Sequence, residues 1–248
     1  MMAAALAEGV TTVRNAAREP EIQDLAGFLN AMGADIRGAG SDRLEIHGVK
    51  RLHGAQYTVM PDRIEAGTLL LAAAITGGDL LLRGAQPEDL SALLWKMHAA
   101  GIHVQWDKEG VRVCPGGELR AVDVTTMPYP GFPTDLQPQF MAMLCCAKGT
   151  SLVVENIFEN RFRHVPELNR MGADIRLVEK CAVIQGKKKL AGAELTATDL
   201  RAGAALVLAA LGAEGESQIQ KIEYIDRGYE RLERTLRALG AEIVRISL

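Results

Sequence analysis

The chain has 248 residues and a formal net charge of −3, from 28 Lys and Arg against 31 Asp and Glu. A chain of this length is expected to form one large or two modest domains. Because its basic residues are scattered rather than gathered in one stretch, the sequence excludes the electrostatic pattern of a nucleic-acid-binding protein.

The apolar runs of the sequence do not indicate a membrane protein, and its N-terminal residues do not indicate a secreted one. The longest apolar run, residues 67–75, is well short of the ~20 residues that cross a bilayer. The N-terminal sequence MMAAALAEG lacks the basic segment of a secretory signal. We therefore expect a cytoplasmic protein without membrane or nucleic-acid partners. The cysteines show no CxxC spacing and are expected to be reduced packing residues: Cys114, Cys145, Cys146 and Cys181.

Four segments of the chain repeat one pattern. Each begins at a glycine followed by a strand-like stretch, and the starts Gly9, Gly78, Gly149 and Gly215 are 69, 71 and 66 residues apart. A helical stretch follows in each copy and ends at a second glycine before another strand. The predicted unit is helix, strand, helix, strand. Further strands are expected at 43–48 with 56–60, 110–114 with 121–125, and 181–185 with 193–198.

The two helices of each unit differ in character. The first is apolar all round in three copies, namely GTLLLAAAI (67–75), QFMAMLCCA (139–147) and AGAALVLAALG (202–212). Such helices must be enclosed, whereas the amphipathic second helices, such as residues 230–239, should lie on a surface. The pattern predicts an inside-out α/β fold, with sheets outside and a bundle of helices at the centre.

The first copy is shorter than the others at its front. Fourteen to sixteen residues separate Asp62, Asp135 and Asp199 from the glycines that follow them, whereas only residues 1–8 precede Gly9. The simplest interpretation is that the chain begins inside a repeat. We expect further sequence upstream in the complete protein.

The segment PYPGFPTDLQPQF (128–140) contains the first candidate for chemistry, Asp135. The prolines at 128, 130 and 133 force an extended, stiff approach to it. One interpretation is that Asp135, like the aligned Asp62 and Asp199, caps a helix. The other is a chemical role, which requires that cations converge on the carboxylate.

Arginines near the predicted strand ends are candidates for these cations. They are Arg63, Arg83, Arg161, Arg163, Arg201 and Arg227. Guanidinium groups at successive loops indicate a cleft for an anionic substrate. The alternative is local ion pairing, with Asp199–Arg201 and Asp226–Arg227 as the pairs. His164 lies close to this group and is interpreted as a supporting residue rather than a base. No P-loop, GxSxG motif or metal-ligand set occurs, so no metal or cofactor is expected.

Five strings resemble the UDP-N-acetylglucosamine 1-carboxyvinyltransferase family of enolpyruvyl transferases: LAEGVTTVRNAAREPEI, GFPTDLQPQF, IFENRFRHVPEL, ATDLRAGAALVLAAL and YIDRGYERLERTLRALGAEI. The resemblance implies two inside-out α/β lobes, each of three βαβαββ units. Residues 1–59 would be the last, truncated unit of one lobe. Residues 60–248 would form the other lobe with its three units, together with strands from the missing N-terminal part.

The family resemblance also implies an activity, the transfer of enolpyruvyl from phosphoenolpyruvate to the 3′-hydroxyl of UDP-N-acetylglucosamine. This is the first committed step of peptidoglycan synthesis, with consequences for cell wall, cell shape and cell division. By motif, Asp135 is the candidate base, Asp199 a second carboxylate at the reacting centre, and Arg227 a cation that holds the phosphate on closure. The substrate-binding residues implied are Thr134, Asp135, Ile157, Phe158, Arg161, Arg201 and Arg227.

The chain also departs from this family. The family's N-terminal lysine and asparagine, its loop with a reactive cysteine and further arginines would all lie upstream, and none of the four cysteines here is in that context. We therefore predict that the chain alone is inactive and binds the sugar nucleotide weakly. Two alternatives remain: a shikimate-pathway enolpyruvyl transferase, against which the FENRF and IDRGYE strings argue, and a non-catalytic repeat scaffold.

Overall fold

The computed structural model describes residues 1–187 and 189–246, so the last two residues of the predicted second lobe lie outside it. The described residues divide into two compact units. The first comprises residues 1–62 with 128–131, and the second comprises 63–127 with 132 onwards. No helix in the described part of the chain has the length and hydropathy that crossing a membrane requires.

The first unit contains one sheet and two helices. Its elements are α1 (Met2–Ala5), β1 (Val10–Arg14), α2 (Pro20–Ala31), β2 (Asp35–Arg37) and β3 (Arg43–His47). The strands are antiparallel in the order β1–β3–β2. Helix α2 begins with proline at its first position and Glu21 in its first turn, as its sequence predicts.

The second unit contains three further copies of this arrangement, the last of which has fewer strands among the described residues. Its first copy comprises α3 (Arg63–Thr76), β4 (Leu80–Arg83), α4 (Ser91–Ala99), β5 (His103–Trp106), β6 (Gly110–Cys114) and β7 (Val124–Thr125). Its second comprises α5 (Gln137–Leu144), β8 (Thr150–Val154), α6 (Val165–Arg170), β9 (Asp174–Val178), β10 (Cys181–Gln185) and β11 (Glu194–Thr196). The final copy has α7 (Leu200–Leu211), β12 (Gln218–Gln220) and α8 (Leu232–Ala238).

The sheet topology supports the repeat inferred from the sequence. The orders β4–β6–β5 and β8–β10–β9 match β1–β3–β2, with antiparallel pairing in each. The fourth strand of one copy pairs in parallel with the first strand of the next, as β7 does with β8 and β11 with β12. Within the second unit, each of the first two copies is therefore joined to its successor by a parallel strand pair.

The three apolar helices α3, α5 and α7 pack against one another and are enclosed, as predicted. All eight residues of α5 are buried, and α7 is buried continuously from Ala202 to Ala209. A Cβ on Gly203 would lie 2.6 Å from Cγ1 of Ile225, so close packing here requires glycine. Around this bundle lie the sheets of the second unit, which confirms the inside-out α/β architecture within that unit.

The glycines that end the surface helices have the left-handed conformation that a helix C-terminus favours. They are Gly33, Gly101, Gly172 and Gly240, with φ of 95°, 84°, 87° and 101°. At the start of the second copy, the residue with positive φ is Gly77, at 70°, one position before the repeat start Gly78.

Two predicted strands are wrong. Residues 56–60 are irregular because Tyr57 packs on Phe28, with ring centroids 5.1 Å apart, and donates to Asp24 Oδ1 at 3.0 Å. The repeat also predicts a strand directly after Gly240, but residues 241–243 form no strand in the described part of the chain. The segment that follows them is held instead by Arg245, whose guanidinium donates to Asp226 at 2.6 Å.

Candidate functional site

The carboxylate of Asp135 is held by one buried and one partly buried arginine. Asp135 lies in a short 3₁₀ helix, Thr134–Leu136, which follows the extended Pro133 and leads into α5. Its Oδ1 accepts from Arg161 Nη2 at 2.6 Å and its Oδ2 from Arg201 Nη2 at 3.1 Å. The arginine side chains are 8% and 14% exposed, whereas that of Asp135 is 39% exposed. Two guanidinium groups therefore orient one solvent-accessible carboxylate.

The capping interpretation holds for Asp199 and not for Asp135. Asp199 Oδ1 accepts from the backbone N–H of Arg201 at 3.1 Å and of Ala202 at 2.9 Å, so it caps α7. Helix α5 has no side-chain cap. Because its own side chain is engaged by arginines from two other segments, Asp135 has the cation convergence that a chemical role requires.

The local ion pairs expected from the sequence are both wrong. The Arg201 side chain reaches Asp135, 66 positions away, while only its backbone N–H contacts Asp199. Asp226 pairs with Arg245 at 2.6 Å and not with its neighbour Arg227. The guanidinium of Arg201 therefore forms its ion pair with Asp135 and not with Asp199.

Arg161 connects Asp135 to the exposed side chains of Ile157 and Phe158, which together are called the apolar wall. Its Nε donates to Thr134 Oγ1 at 3.0 Å, and its guanidinium carbon lies 4.5 Å from the ring centroid of Phe158. Phe158 and Ile157 are 51% and 45% exposed. These exposed apolar side chains therefore lie beside the carboxylate, with Thr134, Phe158 and Arg161 in direct contact with one another or with Asp135.

A buried carboxylate that the sequence reasoning missed underlies this wall. Glu155, immediately after β8, is 4% exposed. Its Oε1 accepts from Thr126 Oγ1 at 2.7 Å and from the backbone N–H of Ile157 at 2.8 Å and of Phe158 at 3.0 Å. Its Oε2 accepts from Thr134 Oγ1 at 3.1 Å. A single glutamate at a strand end carries no sequence signal for this arrangement.

The buried phenol of Tyr229 is a second feature of the site that the sequence did not indicate. It is 1% exposed, and its oxygen lies 2.9 Å from Thr68 Oγ1, 3.2 Å from Gln139 Nε2 and 3.3 Å from Arg201 Nη1. The partners belong to α3, α5 and α7. Burial by itself lowers the pKa of the Arg201 guanidinium, but Tyr229 and Asp135 outweigh burial, and the pKa lies above its ordinary value. Arg201 therefore remains charged.

His164 is fully buried beneath the site. Its Nδ1 lies 3.1 Å from the carbonyl oxygen of Arg161, and its Nε2 has no hydrogen-bond partner within the described residues. Burial lowers the pKa of His164 to about 4, against the opposing effects of the Arg161 carbonyl and the Asp199 carboxylate. A neutral, buried ring fits the supporting role expected for it.

We predict that His164 makes the fold sensitive to mild acid. Its pKa is 6.5 in the unfolded chain and about 4 in the folded one, so the ring binds a proton more readily when unfolded. The contribution of His164 to the free energy of unfolding has its full value above about pH 6.5, and about 3 kcal/mol of it is lost as the pH drops towards 4. Urea unfolding between pH 7.5 and 4.5 should show a steeper decline for the parent chain than for His164→Asn. Parallel declines would contradict the prediction.

Several sequence-predicted residues lie apart from these contacts. Arg163 and Arg227 are exposed, and Arg83 faces Glu109 at 3.8 Å. Arg227 ends the 3₁₀ helix Ile222–Arg227, and its side chain has no ion pair in the part of the chain that the structure describes. Asp62 belongs to the first unit. Of the three candidate catalytic residues, Asp135 and Asp199 are linked through Arg201, whereas no side-chain contact joins Arg227 to either among the described residues.

Three of the four cysteines have thiols that are harder to ionise than usual. Burial raises the pKa of the Cys145 and Cys146 thiols above their ordinary range, and burial with the charge of Asp123 does so for Cys181. Within residues 1–187 and 189–246, no cluster of three His, Cys, Asp or Glu side chains has the arrangement of a metal site. Asp135 with Arg161 and Arg201 is the candidate site in this unit.

A family model described as EPSP synthase (3-phosphoshikimate 1-carboxyvinyltransferase) matches residues 1–236. The chain belongs to this family. Relatives with more than half of their aligned residues identical carry a different name. A UDP-N-acetylglucosamine 1-carboxyvinyltransferase of Novosphingobium aromaticivorans is 57% identical over 246 residues, which are 99% of this chain and 58% of the relative. One from Gluconobacter oxydans is 57% identical over 247 residues, covering 100% of this chain and 59% of the relative.

A solved structure supports the same assignment of family and fold. The enolpyruvyl transferase NikO from Streptomyces tendae superimposes with a TM-score of 0.85 at 30% identity. The match covers 96% of this chain and 57% of NikO. The chain thus spans less than three fifths of the length of each of these three proteins.

Proposed function

We propose that the chain supplies one part of the active site of a UDP-N-acetylglucosamine 1-carboxyvinyltransferase. The observation that carries the proposal is the Asp135 carboxylate, fixed by Arg161 and Arg201 beside the exposed wall of Ile157 and Phe158. The wall offers apolar surface for a sugar nucleotide, and the carboxylate offers an acceptor for a hydroxyl proton. The names of the relatives at 57% identity favour this substrate over shikimate 3-phosphate.

In the proposed reaction, Asp135 accepts the proton of the sugar 3′-hydroxyl as its oxygen bonds to C2 of phosphoenolpyruvate. A proton added to the methylene carbon completes a tetrahedral adduct, and the acid that donates it would lie in the part of the protein upstream. Loss of a methyl proton and of inorganic phosphate then yields the enolpyruvyl ether. The sugar oxygen now carries the enolpyruvyl group. The bond between C2 and the phosphate oxygen has broken, and inorganic phosphate leaves with that oxygen.

The remaining candidates have roles in the same scheme. Asp199 has one carboxylate oxygen engaged in capping α7, and it would present the other near the reacting centre. Arg227, exposed at the end of its 3₁₀ helix, would approach the phosphate when substrate binds. Positive charge at a leaving phosphate stabilises the transition state without proton transfer.

The proposal extends to the organisation and setting of the protein. Residues 1–59 would be the last repeat of one lobe and residues 60–248 three repeats of the other, completed by an N-terminal part. The complete protein would act in the cytoplasm at the first committed step of peptidoglycan synthesis, and so in cell wall formation, cell shape and cell division. Phosphoenolpyruvate and UDP-N-acetylglucosamine would be its substrates.

Calorimetric titration of the purified chain tests the proposal. We expect weak, saturable binding of UDP-N-acetylglucosamine, weaker binding of shikimate 3-phosphate, and no phosphate release from phosphoenolpyruvate with either acceptor. Preference for shikimate 3-phosphate would favour the second enzyme class. Binding of neither would favour a non-catalytic scaffold, and phosphate release by the chain alone would contradict the expectation that the general acid is missing.

A further inference from the structure

Glu155 is a buried carboxylate with no cation bound to it. It is 4% exposed, and none of the ion pairs among the described residues involves it. All four of its donors are neutral: two threonine hydroxyls and two backbone N–H groups. Burying a charge without a counter-ion is costly, so these charge-assisted hydrogen bonds must hold the carboxylate strongly.

One side of Glu155 shapes the loop that forms the apolar wall. Its Oε1 accepts from two successive backbone N–H groups, those of Ile157 and Phe158. The same oxygen accepts from Thr126 Oγ1, which in turn accepts from the backbone N–H of Asn156 at 2.9 Å. Three consecutive backbone donors of the loop are thus fixed on one carboxylate, directly or through Thr126, which leaves the wall side chains turned outwards.

The other side of Glu155 begins a relay to Asp135. Thr134 Oγ1 accepts from Arg161 Nε at 3.0 Å, and its own proton is therefore free to go to Glu155 Oε2 at 3.1 Å. Arg161 Nη2 then donates to Asp135 Oδ1. Arg161 therefore donates at both of its ends, to Asp135 on one side and to Thr134 on the other, and Thr134 passes the donor direction on to Glu155. The relay thus depends on an acceptor at Glu155.

We propose that Glu155 is a positioning residue for sugar-nucleotide binding, which sets both the Asp135–Arg161 pair and the wall at 157–158 without touching the ligand. The inference deepens the proposed function and rests on it for the identity of the ligand. Glutamine has nearly the same shape as glutamate, but its amide nitrogen would present a second donor to Thr134. The Thr134 proton would then lack its acceptor.

The test compares Glu155→Gln with Thr126→Val in the full chain. Both variants disturb the hydrogen bonds that hold the loop at 156–158, but only the first also reaches the relay to Arg161. We expect Glu155→Gln to weaken UDP-N-acetylglucosamine binding about tenfold, the loss expected for one charged hydrogen bond. Thr126→Val should weaken binding by a smaller factor, about threefold, because the Asp135–Arg161 pair keeps its relay. Equal affinity losses in the two variants would show that the relay contributes nothing and would overturn the proposal.

A second readout needs no ligand and separates this proposal from the proposed function. In ¹⁵N spectra of the free protein, the Arg161 Nε–H signal should be protected from exchange in the parent and lose protection in Glu155→Gln. Thr134→Val should reproduce the loss, and Thr134→Ser should restore the signal because the hydroxyl is retained. If Glu155→Gln does not fold, the Thr134 pair gives the result. An unchanged Arg161 signal in Thr134→Val would overturn the proposal even if the sugar nucleotide binds.

Discussion

Replacing Asp135 with alanine is expected to lower the free energy of unfolding by about 3 kcal/mol, near the lower end of the range for a broken buried ion pair. The substitution leaves two guanidinium groups, only 8% and 14% exposed, without their shared carboxylate. The freed cations should then attract an anion, so millimolar inorganic phosphate should raise the melting temperature of the variant and leave that of the parent nearly unchanged. Urea unfolding at pH 7, with and without phosphate, measures both effects.

Asp174→Ala is the matched control for this experiment. The Asp174 side chain is also 39% exposed, but its partner Arg176, at 3.8 Å, is 82% exposed. An exposed pair of this kind contributes about 1 kcal/mol or less. If the two alanine variants lose equal stability, or if phosphate stabilises both alike, the burial of Arg161 and Arg201 is not what makes Asp135 important.

Replacing Phe140 with alanine is expected to cost about 3–5 kcal/mol of stability, the range for a large-to-small change in a packed core. Phe140 is 1% exposed in α5, where every residue is buried. Its ring meets that of Phe132 edge-on, with centroids 5.2 Å apart and an interplanar angle of 72°. Denaturant unfolding should show a lower midpoint with little change in slope.

Phe158→Ala makes the same chemical change at a surface. Phe158 is 51% exposed, and its main contact is the stacking of Arg161 at 4.5 Å. The expected loss is about 1 kcal/mol or less. A loss at Phe158 as large as that at Phe140 would show that the central bundle is not the main source of stability.

The architecture was largely predictable because it is encoded in local patterns. Helices that are apolar all round must be enclosed, and α3, α5 and α7 are. The strand predictions failed where side chains outside the local pattern decided the backbone. Tyr57, for example, reaches Asp24, 33 positions away, and the chain at 56–60 follows those contacts rather than a ladder.

The candidate site was less predictable because its contacts join distant segments. Motif resemblance identified Thr134, Asp135, Arg161 and Arg201, but sequence proximity assigned Arg201 to the wrong carboxylate. Glu155 could not be found, since a glutamate after a strand ordinarily lies in solvent and nothing nearby in the sequence indicates its threonine partners. The catalytic and substrate-binding roles of the resemblance remain predictions.

The hydroxyl of Tyr229 can donate one hydrogen bond and accept two. Thr68 gives its own proton to the Ile64 carbonyl at 2.8 Å, so it must accept from the phenol, which leaves the lone pairs to Gln139 and Arg201. Thr68, Gln139 and Arg201 come from the three copies of the repeat within the second unit, and three side chains that can only donate would leave the phenol proton without an acceptor. At least one copy must therefore supply an acceptor at the point where the three helices converge.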